Sequence, residues 1–201
     1  MSEITTATGH TIKPLTSETF PAWLALAQKH NGVWGGCYCS YFHGDTENTV
    51  KADYDGPTFK QRLVDEGVAH AALVFDGDTA IAWCEYGSPA ELPRIYHRKE
   101  YDAGESRPAP WRITCFFVDR DHRRSGVARE ALDGALALIA QAGGGEVVSF
   151  PNVVPEGKRT SSSFLHNGTP AMFEKAGFTF ERTLGKNKTV MRITVPPAGH
   201  A

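Results

Sequence analysis

Ile-Thr-Cys-Phe-Phe-Val-Asp-Arg-Asp-His-Arg-Arg-Ser-Gly-Val-Ala, residues 113–128, is the stretch that decides the fold. It predicts a buried strand that ends at Val118, a charged turn, and a helix that begins after Gly126. Apolar residues then recur at helical spacing until the glycines at 143–145. The first N–H groups of a helix have no intrahelical partner and lie at the positive end of its dipole. A glycine placed there lets a phosphate approach, so the segment could cradle a pyrophosphate.

The same residues also fit an ordinary strand–helix unit whose arginines are simply solvated. Two well-known phosphate-binding patterns are missing from this segment. It lacks the three-glycine dinucleotide fingerprint and the Gly-Lys-Ser/Thr step of a nucleotide P-loop. Residue types alone therefore leave both interpretations open.

A family resemblance favours the phosphate-binding interpretation. Residues Arg123–Ala128 match Arg/Gln-x-x-Gly-x-Gly/Ala, the signature of the GNAT superfamily of N-acetyltransferases. Residues 172–178, which close on Gly177-Phe178, resemble that family's second landmark, a helix ending in Gly-Phe before the next strand. Because both landmarks stand in the family's order, the chain is identified as a member of this superfamily. The resemblance extends from about residue 79 to residue 195.

The resemblance implies an α/β (α+β) fold with a mixed, mostly antiparallel central sheet and helices on both faces, the acyl-CoA N-acyltransferase (GNAT) fold. The hydrophobic pattern predicts the order strand–helix–helix–strand–strand–strand–helix–strand–helix–strand–strand. Two long loops are predicted, at 88–110 and 151–168. We expect one domain over residues 1–201, with loose tails at about 1–10 and 196–201.

Composition and charge argue against several classes of function. A formal net charge of −2 provides no general basic surface for nucleic acid. No apolar run approaches membrane-spanning length, and the polar N-terminus lacks the regions of a signal peptide. The 4 cysteines stand at irregular spacing, which fits neither a disulfide framework nor a zinc motif. We therefore expect a cytoplasmic monomer or homodimer with no metal, no membrane contact and no nucleic-acid partner.

By resemblance, the cofactor is acetyl-CoA, which serves as donor substrate and lies between two splayed strands. Its pantetheine amides would pair with the backbone of Phe116 and Val118, and N–H groups from Arg124 to Arg129 would hold the pyrophosphate. Independently of the resemblance, we expect the loop at 88–110 or the loop at 151–168 to border the site, with Lys158 or Arg159 near the phosphates. Core packing is the alternative role for the apolar residues of the strand. The residues expected at the cofactor are Phe116, Phe117, Val118, Arg123, Arg124, Ser125, Gly126, Val127, Ala128, Arg129 and Phe173.

The activity implied is transfer of an acetyl group to the amine of a small molecule or peptide, directly and with a general base. A protonated amine must lose a proton before it attacks, so a base is needed. Glu85 is the first candidate, because carboxylates are rare in apolar strands; a solvated strand-end carboxylate is the alternative. His166 and Glu174 are further candidates. The alternative function is a non-catalytic sensor that binds acetyl-CoA or another acyl-CoA.

The glycine- and aromatic-rich run at residues 34–43 predicts part of the acceptor pocket. Its aromatic members could form a wall that suits a flat or cationic acceptor. A loop that plugs the core is the other interpretation of this run. The residues predicted to line the acceptor pocket are Trp34, Tyr38, Tyr41 and Phe42.

Phe173 departs from the pattern of the family that the chain resembles. Many relatives carry a tyrosine at this position, whose hydroxyl protonates the departing CoA thiolate. The family's usual asparagine, seven residues earlier, is replaced by His166. We therefore expect either an enzyme in which water or His166 assists the leaving group, or a non-catalytic binder.

Overall fold

A computed structural model describes residues 3–33, 35–44, 56–105, 107–154, 157, 160–161 and 163–199. The strands in these ranges are β1 (Ile4–Thr5), β2 (Thr11–Pro14), β3 (His70–Asp76), β4 (Thr79–Gly87), β5 (Trp111–Val118), β6 (Gly145–Ser149), β7 (Thr179–Leu184) and β8 (Lys188–Val195). The helices are α1 (Phe20–Lys29), α2 (Pro57–Asp65), α3 (Arg98–Ala103), α4 (Val127–Gln141) and α5 (Pro170–Lys175). Short 3-10 helices cover Tyr41–His43, Arg120–His122 and Phe164–Asn167.

The strands form one 8-stranded sheet in the order β1-β2-β3-β4-β5-β6-β8-β7. Among the described strands, β5 and β6 are the one parallel pair, and every other neighbouring pair is antiparallel. The sheet is therefore mixed and mostly antiparallel, which confirms the predicted fold class.

The parallel pair separates halfway along β5. Trp111 to Ile113 pair with β6, which ends at Ser149, whereas β4 continues to follow β5 as far as Val118. Pro151 lies just beyond β6, and a proline has no N–H to continue a ladder. The second half of β5 consequently has one edge that β6 does not cover.

Apolar side chains cover both faces of the sheet, because successive strand residues point to opposite sides. On one face, Val74 of β3 belongs to the core that contains α4 and α5. On the other face, Leu73 belongs to the core that contains α1, the neighbouring loop and Val64 of α2. The prediction of helices on both faces is thus confirmed.

Two predicted irregular regions contain regular structure. The expected loop at 88–110 includes α3, in which Tyr101 is fully buried against Phe150, with ring centroids 5.1 Å apart. A helix this short places too few apolar residues on one face to produce a visible period. The expected loose N-terminal tail includes β1, where Ile4 pairs with Ile12 of β2. None of the helices within the described ranges is long and apolar enough to cross a membrane.

Candidate active site

A groove runs along the open edge of β5 to the first turn of α4. Two cavities, of about 440 Å³ and about 210 Å³, share Val118, Arg123, Ala128, Thr169 and Met172 and therefore form one space, which we call the strand groove. The other residues that line it are Phe116, Phe117, His122, Arg124, Gly126, Val127, Arg129, Leu165, Gly168, Ala171 and Lys175.

The α4 end of the strand groove exposes the first turn of a helix next to a glycine. Gly126 caps the helix with φ +92°, a conformation that glycine adopts without strain, and nothing lies within 4 Å of where its Cβ would be. The N–H of Arg129 donates to Gly126 O at 2.8 Å, so the N–H groups of Val127 and Ala128 precede the first intrahelical hydrogen bond. Because the helix dipole adds positive charge there, this end can bind a phosphate.

The residues predicted at the cofactor mostly line this groove. Those that do so are Phe116, Phe117, Val118, Arg123, Arg124, Gly126, Val127, Ala128 and Arg129. Ser125 is outside that set, and its hydroxyl donates to His122 O at 2.6 Å. Arg123 already donates from Nε to Val118 O at 3.2 Å. A pantetheine amide at Val118 would therefore have to share that carbonyl or displace Arg123.

Phe173 lies beneath the groove rather than in its wall. Its side chain is 0% exposed, and its ring packs edge-on against Phe116 and Phe178, with centroids 5.8 Å and 4.9 Å away. The structure therefore does not support direct contact between this ring and a cofactor. Core packing explains the apolar side chain at this position.

A third cavity, of about 280 Å³, lies beside the strand groove. Consecutive residues line the two spaces, since Cys115 precedes Phe116 of the groove and His166 follows Leu165, although the side chains at 115 and 116 point to opposite faces of the sheet. We call it the aromatic–thiol cavity. Its lining residues are Cys37, Cys39, Tyr41, Phe42, Tyr96, Cys115, Ser163 and His166.

The residues predicted to line an acceptor pocket divide between two places. Tyr41 and Phe42 line the aromatic–thiol cavity, with their rings edge-to-face at 5.0 Å. Tyr38 instead packs on Trp23 at 6.4 Å, in the core of the α1 face. Trp34 lies outside the described residues. Tyr41 and Phe42 therefore support the interpretation of this run as part of a pocket, whereas Tyr38 supports its interpretation as a loop that plugs the core.

The second predicted loop also falls partly outside the described residues. Lys158 and Arg159, expected near the phosphates, are not among them. Their expected contact with the cofactor remains a prediction.

Tyr96, which the sequence did not single out, completes the aromatic wall. Its ring stacks on Tyr41 at 5.2 Å, with an interplanar angle of 21°. Lys188 Nζ lies over the ring of Tyr96, 4.5 Å from the ring centroid. It donates hydrogen bonds to Asn152 Oδ1 and Asn167 Oδ1, at 2.7 Å each. Burial lowers the pKa of Lys188 to about 8. These residues come from distant segments without a periodic or motif signal, so the sequence could not associate them.

His166 lines the aromatic–thiol cavity and follows Leu165 of the groove in sequence. Its Nδ1 is 2.7 Å from Ser163 O. A carbonyl oxygen only accepts, so Nδ1 donates, and Nε2 of the neutral ring carries the lone pair. Burial lowers the pKa of His166, and the charge of Lys188 lowers it further, although the bond to Ser163 acts in the opposite direction. His166 is therefore a neutral proton acceptor at neutral pH.

Glu85, the first candidate for a general base, is enclosed in the core. Its side chain is 1% exposed; Oε1 accepts from Lys60 Nζ and Oε2 from Thr114 Oγ1, both at 2.8 Å. Burial by itself would raise the pKa of Glu85, but the charge of Lys60 outweighs it, and the pKa falls to about 2. A buried carboxylate with this pKa is a weak proton acceptor, so the structure does not support the expected role.

Lys60 ties this ion pair to the wall of the aromatic–thiol cavity. Its three ammonium protons have three partners: Glu85, Cys39 O at 3.1 Å and His43 Nε2 at 3.0 Å. His43 is held from its other side, because Nδ1 donates to Glu91 O at 2.9 Å. Burial lowers the pKa of His43, and Lys60 lowers it further, so the ring accepts from Lys60 as a neutral imidazole. This network fixes the Cys39 backbone.

Glu174, the remaining candidate base, is exposed on α5 and lines neither the strand groove nor the aromatic–thiol cavity. Its position gives no support to a catalytic role.

Two of the thiols in the cavity wall lie close together. Cys39 Sγ and Cys115 Sγ are 3.1 Å apart, and Trp83 Nε1 donates to Cys39 Sγ at 3.2 Å. The contact with Cys39, together with burial, raises the pKa of the Cys115 thiol, and burial raises that of Cys37. A thiol is far less nucleophilic than a thiolate, so these side chains act as apolar wall.

Comparison with known proteins relates the chain to others by its fold. No protein-family model matches the sequence, and no curated protein matches it. Solved structures do match. RimL, a ribosomal alpha-N-protein acetyltransferase in complex with coenzyme A, has 12% identity and a TM-score of 0.53, over 96% of this chain and 98% of that chain.

Two further solved structures show the same likeness. A ribosomal-protein-S5-alanine acetyltransferase from Vibrio fischeri has 9% identity and a TM-score of 0.53, over 97% of each chain. An acetyltransferase of the GNAT family from Desulfovibrio desulfuricans has 13% identity and a TM-score of 0.51, over 92% of this chain and 99% of that chain. The identities are low, but the likeness spans nearly the whole of each chain. The chain therefore has the fold of the GNAT acetyltransferases.

Proposed function

We infer that this protein is an acetyl-CoA-dependent N-acetyltransferase that acts on the amine of a small molecule or peptide. The observation that carries this inference is the position of the anion-binding turn at Gly126 at one end of an uncovered strand edge. Such an edge offers peptide groups to an extended ligand that contains amides, and the turn offers N–H groups to its phosphates. Acyl-CoA has both features. The fold shared with a CoA-bound acetyltransferase supports the same assignment.

In this assignment the cofactor lies along the strand groove. Its pyrophosphate meets the N–H groups of Val127 and Ala128, with Lys175 and Arg124 adding positive charge. The pantetheine arm follows residues 116–118. The thioester then reaches the point where the groove adjoins the aromatic–thiol cavity, and the acceptor amine approaches from that cavity.

His166 takes the role of general base, in place of Glu85. As the amine attacks the thioester carbonyl, its nitrogen must shed a proton, and Nε2 of the neutral imidazole can take it. The hydrogen bond from Nδ1 to Ser163 O holds the ring in that tautomer. The imidazolium formed in this way can return the proton to the departing CoA thiolate. One side chain then serves both steps, so a tyrosine at position 173 is not required.

The test combines cofactor binding with turnover in the wild-type protein. Calorimetry should show saturable binding of acetyl-CoA, and release of the CoA thiol should depend on added amine. Mass spectrometry of the acceptor should show the added acetyl group. Failure of acetyl-CoA to bind would refute the assignment.

The second candidate is a non-catalytic acyl-CoA sensor. Phe173 favours it, because this buried ring has no hydroxyl to protonate the thiolate. A protein that binds acetyl-CoA but releases no thiol across amines, amino acids, polyamines and peptides would support the sensor. Loss of thiol release in a His166→Ala variant of an active protein would exclude it.

A further inference from the structure

The chemistry of the aromatic–thiol cavity narrows the class of acceptor, an inference that rests on the proposed acetyl transfer. The cavity has a volume of about 280 Å³, which is suited to one small ring. Its described wall consists of aromatic rings and thiols, and its polar groups are the hydroxyls of Tyr41, Tyr96 and Ser163 and the His166 imidazole.

The described wall holds no counter-ion for an ammonium group. None of the described lining residues is an aspartate or a glutamate. Glu85 pairs with Cys115 across β4 and β5, but it is 1% exposed and already satisfies Lys60. A cationic amine that entered the cavity would lose its hydration without gaining a charge partner from these described residues, which is costly.

The aromatic faces are also already engaged by cations of the protein. The guanidinium carbon of Arg94 lies 4.0 Å from the centroid of Tyr41, and Lys188 Nζ lies 4.5 Å from that of Tyr96. These contacts use the negative ring faces that would otherwise attract a cationic ligand, and they place positive charge behind the wall. The sequence had left open a flat or a cationic acceptor. The surroundings of the two rings favour the flat one.

We propose that the acceptor is a small primary aromatic amine, whose nitrogen is attached directly to the ring and is uncharged at neutral pH. Such a molecule needs no counter-ion in the cavity, and its ring can pack against the edges of the rings of Tyr41, Phe42 and Tyr96 that line it. A proton acceptor such as His166, with its lowered pKa, suits an amine that arrives already neutral.

The transfer step balances with the groups at hand. The amine nitrogen attacks the thioester carbonyl carbon, a C–N bond forms and the C–S bond breaks. One amine proton passes to His166 Nε2 and then to the CoA thiolate. The products are a neutral aryl amide and the CoA thiol, so no other reactant is needed.

The test compares two amines that carry the same ring. Aniline is uncharged at neutral pH, whereas benzylamine, one methylene longer, is a cation. We expect kcat/KM for aniline to exceed that for benzylamine by about tenfold or more at pH 7, with agmatine and an alanyl peptide lower still. Faster acetylation of benzylamine, agmatine or the peptide would overturn the aromatic-amine inference while leaving acetyl transfer in place. Binding of acetyl-CoA with no amine acetylated would overturn both.

A charge placed in the wall provides a second measurement. Cys37 is half-buried in the cavity wall. Cys37→Asp supplies the missing carboxylate, and Cys37→Asn is its uncharged control of the same shape. The aspartate should lower the aniline-to-benzylamine ratio by about tenfold relative to asparagine. Equal ratios in the two folded variants would show that charge in this cavity does not select the acceptor.

Discussion

The strand groove and the aromatic–thiol cavity lie side by side but are built in different ways. The groove wall comes largely from one continuous segment, residues 116–129, completed by α5 and the turn before it. The cavity wall comes from separate segments around residues 37–42, 96, 115 and 163–166. The first uses main-chain groups, which any sequence can supply, whereas the second uses side chains. This difference suggests that the groove sets cofactor binding and the cavity sets the chemistry and the choice of acceptor.

Removing the imidazole of the cavity should have the largest effect on catalysis. His166→Ala should lower kcat by about 10²-fold or more, because the proton acceptor is lost. In the wild type, burial lowers the pKa of His166 below 6.5. The rate should therefore rise with pH through a range below 6.5, and the variant should lack that rise. Stopped-assay kinetics from pH 5 to pH 9 measure both.

Affinity for acetyl-CoA is the control, since His166 does not line the groove. An unchanged pH profile in His166→Ala would show that His166 is not the general base. A large loss of acetyl-CoA affinity would contradict the division between the two regions.

Breaking the ion pair between Lys60 and Glu85 tests whether these two buried charges stabilise the fold together. Lys60→Met should destabilise the fold by about 3–5 kcal/mol, because Glu85 would be left buried without its partner. Adding Glu85→Gln should recover part of the loss. Urea unfolding measures both variants. Additive effects of the two substitutions would show that the pair is not coupled.

The same pair predicts how stability depends on acid. Glu85 has a folded pKa of about 2, below its ordinary value of 4.5. Its contribution is therefore fully present above pH 4.5 and is lost as the pH falls towards 2. The wild type should lose unfolding free energy across this window, and the double variant should lose less. If the unfolding free energy depends on pH equally in the wild type and the double variant, other carboxylates dominate the loss of stability in acid.

A negative charge in the groove should weaken the cofactor without altering the cavity. Gly126→Glu should lower acetyl-CoA affinity by about tenfold or more relative to Gly126→Ala. Both variants carry the same strain at φ +92°, so the comparison isolates charge and size. Calorimetry provides the affinities, and circular dichroism checks the fold. Equal affinities of the two variants for acetyl-CoA would show that its phosphates do not bind at this turn.

The smallest expected effect concerns an exposed cation at the groove. Lys175→Ala should weaken acetyl-CoA by less than about fivefold at low salt, and the loss should fade as salt is added. Lys99→Ala, on α3, removes an exposed lysine that lines neither space and should have no effect. A loss that persists at high salt would indicate a buried contact instead.

The parts that the sequence predicted are those in which neighbours in the chain are neighbours in space. The strand that ends at Val118 and the turn at Gly126 form the groove from consecutive residues, so their pattern was visible. Tyr96 and Lys188 meet only because the fold brings the segment between β4 and β5 onto β8, and no spacing signals such a contact. Glu85 was correctly noticed as an unusual residue, but its partner Lys60 is 25 positions away on another element. When its partner is not known, a carboxylate that belongs to a buried ion pair resembles a general base.

The separation of β5 from β6 has a consequence for stability as well as for binding. Sheets usually expose unpaired edges at their borders, where other chains can add to them. Here the unpaired edge lies inside the sheet, in a slot bordered by Asn167, whose side-chain amide donates to Thr114 O. A ligand that pairs with the rest of this edge would take the place of the missing length of strand. The free energy of unfolding would then depend on the concentration of the ligand. At 100 times Kd the native state is stabilised by about 2.7 kcal/mol. The melting temperature of the protein would therefore rise with the concentration of acyl-CoA.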